Sequence, residues 1–312
     1  MEPRILHMGP LTERFNQRLA SGKDVVQLWR QGDALAYLDA HGSEFEILVT
    51  SARFGCSAAH LARLPRLRAI CSFGVGYDAI AVDQARERGI PVSYTPDVLN
   101  DCVADLAMGL MIDCARRISA ADRFLRDGRW QTGQYPLARK VSGKRLGIVG
   151  LGRIGKDLAR RAQAFDMQVR YHNRRPDAGA PYGFEPDLLA LARWADFLVL
   201  LCPGGAATRH LVSAPVLDAL GPDGILINVA RGSVVDEPAL VAALLEGRLG
   251  GAGLDVFESE PQVPEALLGL DSVVLTPHVG SATEETRLAM EELVFANLAA
   301  FLETGELLTP VP

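Results

Sequence analysis

Three polar residue types stand where chemistry is done in an open α/β sheet, just past the ends of apolar runs. Asn228-Val-Ala-Arg231-Gly232 closes one run, Leu254-Asp255-Val-Phe-Glu-Ser-Glu260-Pro261 the next, and Thr276-Pro277-His278-Val-Gly280-Ser281 a third. An arginine, an acid and a histidine thus follow three successive predicted strands, and ligands bind outside the carboxyl ends of strands in such sheets. Together they suit proton-coupled hydride transfer. A protonated imidazole donates to a carbonyl oxygen as hydride reaches its carbon. A neighbouring carboxylate favours the imidazolium and fixes its ring. A guanidinium grips a carboxylate through two parallel hydrogen bonds. A 2-keto acid, with carboxylate beside carbonyl, fits this set. Of the six histidines, only His278 has the setting; His7, His41, His60, His172 and His210 read as surface or packing residues.

The hydride source is marked by Gly150-Leu-Gly152-Arg-Ile-Gly155, which follows the apolar run Leu146–Val149 and precedes a helix-compatible stretch, Lys156–Phe165. Gly150 permits a tight turn, Gly152 a close approach to a pyrophosphate, and Gly155 close packing of helix on strand. The pyrophosphate sits at the helix N-terminus, where free N–H groups and the dipole favour anions. An NAD site ordinarily ends its second strand with a carboxylate on the ribose 2′-hydroxyl. Here that strand ends VRYHNRRP, with no acid before Asp177. Arg174 and Arg175 offer permanently charged donors to a 2′-phosphate instead. The missing acid favours NADP, with NADPH as reductant, and leaves NAD possible.

Elements that could hold these residues follow from length and pattern. A chain of 312 residues gives about two domains at roughly 150 residues each. Before residue 100, short apolar runs (Arg4–Met8, Asp24–Leu28, Glu46–Thr50, Leu67–Phe73, Pro91–Tyr94) alternate with helix-like stretches, the pattern of βαβ units. A long helix is expected after Asn100 or Asp101, with Val103, Leu106, Ala107, Leu110 and Met111 on one face. Six apolar runs then follow (Leu146–Val149, Met167–Tyr171, Phe197–Leu201, Gly224–Val229, Gly253–Phe257 and Val273–Leu275), most of them continuously apolar, suiting a parallel sheet covered on both faces. A last helix is expected from Ala282 to about Glu303, with Ala289, Leu293, Ala296 and Ala300 inward and Ser281 and Glu284 as a capping box. The expected layout is a small α/β domain of residues 1–98 plus 284–312, interrupted by a larger dinucleotide-binding domain of residues 99–283.

Composition narrows the class. Apolar residues make up 48% and charged ones 22%, ordinary for a globular chain. No apolar run reaches the roughly 18 residues of a membrane span, and the N-terminus does not read as a secretory signal. A net charge of −6 without a basic block argues against nucleic acid. Five scattered cysteines without a CxxC pair suit buried thiols in a reducing, cytoplasmic setting.

Several segments in register resemble one family. SFGVGYD (72–78), TPDVLNDCVAD (95–105), VGLGRIG, NVARGSVVDE, GLDVFESEP and TPHVGSAT are similar to motifs of the D-isomer-specific 2-hydroxyacid dehydrogenases, and the resemblance covers most of the chain. It implies a Rossmann domain inserted into a discontinuous flavodoxin-like α/β substrate domain, residues 1–98 plus 284–312. It implies that Arg231, Glu260 and His278 form the catalytic set, with His278 as acid/base and Glu260 as its partner. It implies that Val75 and Gly76 hold the substrate carboxylate through backbone N–H groups and that Asp255 contacts the nicotinamide amide. The cofactor-binding set it implies is Gly150, Gly152, Arg153, Ile154, Gly155, Asn173, Arg174, Arg175, Pro203, Val229, Ala230, Arg231, Asp255, His278 and Gly280.

Within the family the chain looks most like glyoxylate/hydroxypyruvate reductases and hydroxyphenylpyruvate reductases. Formate dehydrogenases of the family carry Gln where this chain has Glu260. Family members are typically homodimers, and no metal is expected. Phe54, Tyr77, Leu99 and Trp130 are all candidates for the substrate pocket, and Trp130 also for an arm reaching a second subunit. The alternatives are another D-2-hydroxyacid dehydrogenase or, in a different class, a nucleotide-sensing corepressor-like protein.

Overall fold

The computed structural model describes residues 3–312. They fall into two compact units, one made of the chain up to Leu99 with Glu284–Pro312, the other of Asn100–Thr283.

The first unit is built on a parallel sheet of β1 (Ile5–His7), β2 (Val25–Gln27), β3 (Ile47–Ser51), β4 (Ala69–Phe73) and β5 (Val92–Ser93), in the order β2-β1-β3-β4-β5. This is the flavodoxin-like order. Leu6, Leu48, Ile70 and Val92 join Leu28, Leu38, Phe45, Leu61 and Leu64 in one core cluster. Helix Glu13–Ala20 is capped by Thr12, whose hydroxyl accepts from Phe15 N at 3.1 Å, and it buries Phe15 and Leu19. Phe15 meets Phe295 of helix Glu284–Thr304 with ring centroids 4.8 Å apart.

That last helix departs from expectation in two ways. It buries Met290, Val294, Leu298 and Phe301, whereas Ala289, Leu293, Ala296 and Ala300 are only half-buried. The inward face is thus turned by one residue, because the larger side chains have more apolar area to remove from water. The helix also begins at Glu284, leaving Ser281 in a preceding turn rather than at the cap.

The second unit has seven parallel strands: β6 (Arg145–Val149), β7 (Gln168–His172), β8 (Gly183–Phe184), β9 (Phe197–Leu200), β10 (Ile225–Asn228), β11 (Gly251–Leu254) and β12 (Val273–Leu275). Their order is β12-β11-β10-β9-β6-β7-β8, the Rossmann order with one further strand. The sequence showed six runs. β8 has only two residues, too short for periodicity to mark. The run Gly253–Phe257 also ends as a strand at Leu254, so Asp255, Val256 and Phe257 already belong to the loop beyond it. Helix Asn100–Arg116 lies on this sheet and buries Val103, Ala107, Leu110 and Met111, with Leu106 half-buried. The segment 127–143 is loop apart from one short turn, Arg129–Gln131. Among the described residues no helix is long and apolar enough to cross a membrane.

Candidate active site

The glycine-rich turn after β6 sits where strand order reverses, between β6 and β9. Gly150 has φ +100°, and a Cβ there would lie 2.5 Å from Cys202 N. A Cβ on Gly155 would lie 2.7 Å from the Gly150 carbonyl oxygen. Neither position admits a side chain. At Gly152 the reverse holds: a Cβ would meet nothing within 4 Å. Gly152 is the N-cap of helix Arg153–Gln163, and no side chain caps that helix. An open face over uncapped helical amides is what a pyrophosphate requires, so the residues present fit a dinucleotide. Asn173, just after β7, ties the turn in place: its Oδ1 accepts from Leu151 N at 2.8 Å and its Nδ2 donates to Leu151 O at 3.3 Å. Arg174 and Arg175 are exposed, and neither has an ion-pair partner among the described residues.

On the other side of the switch point, the ends of β10, β11 and β12 are joined by buried polar groups. Asn228 Oδ1 accepts from Ala230 N at 3.0 Å, and its Nδ2 donates to the Arg231 carbonyl at 2.9 Å. This closes the turn Asn228–Arg231, in which Val229 is half-buried and Ala230 buried. The Asp255 carboxylate, 1% exposed, accepts from Thr276 Oγ1 at 2.6 Å, Val279 N at 2.7 Å and Gly280 N at 2.8 Å. Its carbonyl also accepts from His278 N at 2.9 Å. Asp255 therefore holds the whole 276–280 loop, including His278 at φ +53°, a conformation that side-chain-bearing residues adopt only when the surroundings impose it.

The imidazole so placed donates from Nδ1 to Glu260 Oε2 at 2.7 Å, since an ionised carboxylate only accepts. Glu260 Oε1 accepts from Phe257 N at 3.2 Å. Burial pushes the Glu260 carboxyl up. The hydrogen bond and charge of His278, the Phe257 N–H and the Arg231 charge outweigh this and hold it below its usual value. The three functional types expected from sequence are thus coupled here, and Glu260 is the carboxylate that meets the histidine. The side chain of His278 is 43% exposed, with Nδ1 the ring nitrogen that Glu260 engages.

Other expected residues fall elsewhere. Pro203, past β9, is exposed and its carbonyl accepts from Thr208 Oγ1 at 2.7 Å. Arg153 is exposed, Ile154 half-buried. Val75 and Gly76 lie in the first unit on the loop after β4, whose start is held by Gly74 N donating to Thr95 Oγ1 at 3.0 Å and Thr95 N to Gly74 O at 2.9 Å. Among the pocket candidates, Leu99 is buried, Tyr77 edges onto Tyr94 at 6.0 Å, Phe54 is half-buried and Trp130 is 66% exposed. The remaining histidines have structural settings: His41 pairs with Glu44, His60 with Ser57, His172 with the Glu185 carbonyl and His210 with Glu258. His7 is buried against Phe15 and Trp29.

Residues 108–280 match the family described as D-isomer specific 2-hydroxyacid dehydrogenase, NAD binding domain. The chain belongs to the D-isomer specific 2-hydroxyacid dehydrogenase family. The matched residues 108–280 lie within the unit Asn100–Thr283. The chain is 45% identical over 307 residues to a glyoxylate/hydroxypyruvate reductase A of Arabidopsis thaliana, covering 98% of both chains. It is likewise 45% identical over 307 residues to a hydroxyphenylpyruvate reductase of Plectranthus scutellarioides, again over 98% of both. A solved NADPH-dependent glyoxylate/hydroxypyruvate reductase of Sinorhizobium meliloti, in complex with NADP and malonate, matches with TM-score 0.93 and 44% identity over 100% of this chain and 97% of that one.

Sequence reading singled out neither Asn228 nor Thr276 as part of this 2-hydroxyacid dehydrogenase site. Both carry a signal: a short polar side chain at a strand end, before a turn, bonds nearby backbone or a neighbouring loop.

Proposed function

We propose that this protein is an NADPH-preferring reductase that converts small 2-keto acids, glyoxylate and hydroxypyruvate foremost, to D-2-hydroxy acids. The observation that carries the reading is the His278–Glu260 pair at 2.7 Å beside Arg231, on the loops after three adjacent strands of a dinucleotide-binding sheet. Bound NADPH supplies the hydride. With Nδ1 engaged by Glu260, the proton to be transferred sits on His278 Nε2, from which it passes to the carbonyl oxygen as that oxygen gains charge. Glu260 accepts from Nδ1 and fixes the ring plane. Arg231 grips the substrate carboxylate and polarises the adjacent carbonyl; the resemblance gives the backbone N–H groups of Val75 and Gly76, in the first unit, a substrate-binding role. The first unit is thereby the substrate domain. Arg174 and Arg175 select NADP through its 2′-phosphate.

A second copy of the chain is the proposed partner. Ile118, Leu125, Trp130 and Leu137 are 53%, 52%, 66% and 98% exposed within a single stretch of the chain, more apolar surface than a lone chain ordinarily leaves in one segment. The buried thiols Cys56, Cys71 and Cys114 suit a reducing cytoplasmic location.

The test is the loss of reduced-nicotinamide absorbance with NADPH or NADH and a panel of glyoxylate, hydroxypyruvate, pyruvate and hydroxyphenylpyruvate. Rapid loss with NADPH and the small acids supports the reading. A preference for hydroxyphenylpyruvate moves the substrate assignment to aromatic keto acids, and no turnover with any pair overturns the enzyme reading.

A further inference from the structure

The turn that carries Arg174 and Arg175 also carries an acid, Asp177, whose negative charge opposes binding of any 2′-phosphate there. Its backbone is fixed by Tyr171, a residue 1% exposed in β7. Asp177 N donates to Tyr171 Oη at 2.9 Å, and Tyr171 Oη donates to Asp177 O at 3.4 Å. The backbone of the acid is therefore fixed two residues past Arg175, in the same turn. The two carboxylate oxygens are both engaged. Oδ1 accepts from Gly179 N at 2.9 Å, and Oδ2 lies 2.7 Å from Lys156 Nζ. Lys156 is the fourth residue of helix Arg153–Gln163 and directly follows Gly155, the last of the fingerprint glycines. The lysine hydrogen bond, followed by the Gly179 N–H, holds the Asp177 carboxyl below its usual value.

We propose that Lys156 is a specificity-determining residue for the cofactor. By pairing with Asp177 it cancels the one acid of the turn and leaves Arg174 and Arg175 as its net charge, favouring a 2′-phosphate over a 2′-hydroxyl. The inference rests on the proposed role of Arg174 and Arg175. Lys156 acts through Asp177, so its effect depends on that acid being present. A direct lysine–phosphate contact has no such dependence.

The experiment is calorimetric titration of the apoprotein with adenosine 2′,5′-bisphosphate and with AMP, taking the ratio of their affinities as the readout. K156M, which keeps the aliphatic stem, is expected to lower the ratio by roughly three- to tenfold at low salt, and less at high salt. In the D177N background the same substitution should change the ratio less than about twofold. An equal fall in both backgrounds, or no fall in either, overturns the proposal. R174Q/R175Q measured alongside separates the two readings. If the arginine variant loses the ratio while K156M keeps it, only the role of Lys156 fails. If the arginine variant also keeps it, the turn is not the phosphate site and the NADP reading fails too.

Discussion

In the dinucleotide-binding unit, the buried polar side chains Asn228 and Asp255 have every oxygen and the amide nitrogen engaged, and each bond runs to a loop that carries a proposed catalytic residue. In the other unit, the buried ring nitrogens of His7 and the hydroxyls of Ser51 and Ser72 have no hydrogen-bond partner among the described residues. Both units are parallel sheets with apolar interiors. They differ in where buried polarity is placed. In one it is concentrated at the strand ends and pins Arg231 and His278. In the other, Thr50 and Thr95 hold the turns after β3 and β4, while the polar groups of His7, Ser51 and Ser72 lie along the strands and pin nothing. The comparison teaches that a buried polar group matters to function when its bonds terminate on a loop, and matters mainly to folding energetics when they do not.

The largest expected effect lies on the first side. His278→Asn, a residue tolerated at positive φ, removes the titrating group with little backbone disturbance. It should lower kcat by about 10²- to 10⁴-fold while dinucleotide affinity, measured by fluorescence titration, stays within about twofold. Survival of turnover would remove His278 from the mechanism. Next comes Asp255→Ala, which leaves the Thr276 hydroxyl and the Val279 and Gly280 N–H groups without their acceptor. At about 1–3 kcal/mol for each unsatisfied group, a loss of about 3–5 kcal/mol in urea unfolding is expected, together with loss of turnover. If stability falls and kcat holds, the 276–280 loop does not need its anchor and the contrast between the units weakens.

His7 tests the other side. Burial lowers its pKa from 6.5 to about 4, so the folded protein keeps it neutral where the unfolded chain binds a proton. Between those two values the unfolded state holds more protons, so stability rises with pH. The contribution is intact above about pH 6.5 and is lost as pH falls towards 4, by about 3 kcal/mol at the lower end. His7→Leu should flatten that slope in denaturant titrations at pH 7, 5.5 and 4.5, and a slope parallel to that of the unaltered protein would show that His7 protonates freely in the fold.

How much of this was legible beforehand divides along the same line. The fingerprint glycines, the three strand ends and His278 as the histidine past the last of those three ends were readable because each signal is local: a run, a turn, a residue type. Glu260 as the partner of His278 came from resemblance, and the contact itself spans a loop whose path no spacing dictates. The Asp255 clamp on residues 276–280 and the Lys156–Asp177 pair were not readable, since both join residues about twenty apart that only the strand order brings together. The face of the last helix was misplaced by one residue because Thr286, Glu291 and Asn297 are buried beside its apolar side chains, which blurs the pattern that periodicity relies on.

The smallest expected effect is the most direct check on the contrast, because it compares two hydroxyls that sit in register. Thr50 of β3 pairs with Ser72 of β4, and both share the sheet face of Leu48 and Ile70, since alternate residues point to the same side. Thr50 Oγ1 donates to the Gly55 carbonyl at 2.6 Å, which holds the turn after β3; Ser72 Oγ has no hydrogen-bond partner among the described residues. Thr50→Val should therefore strand the Gly55 carbonyl and cost about 1–2 kcal/mol. Ser72→Ala removes a desolvated hydroxyl without orphaning any partner, so its effect should lie within about 0.5 kcal/mol of zero or on the stabilising side. Equal losses in the two variants would mean that the Ser72 hydroxyl is bonded in solution, and that the first unit places its buried polarity with the same economy as the second.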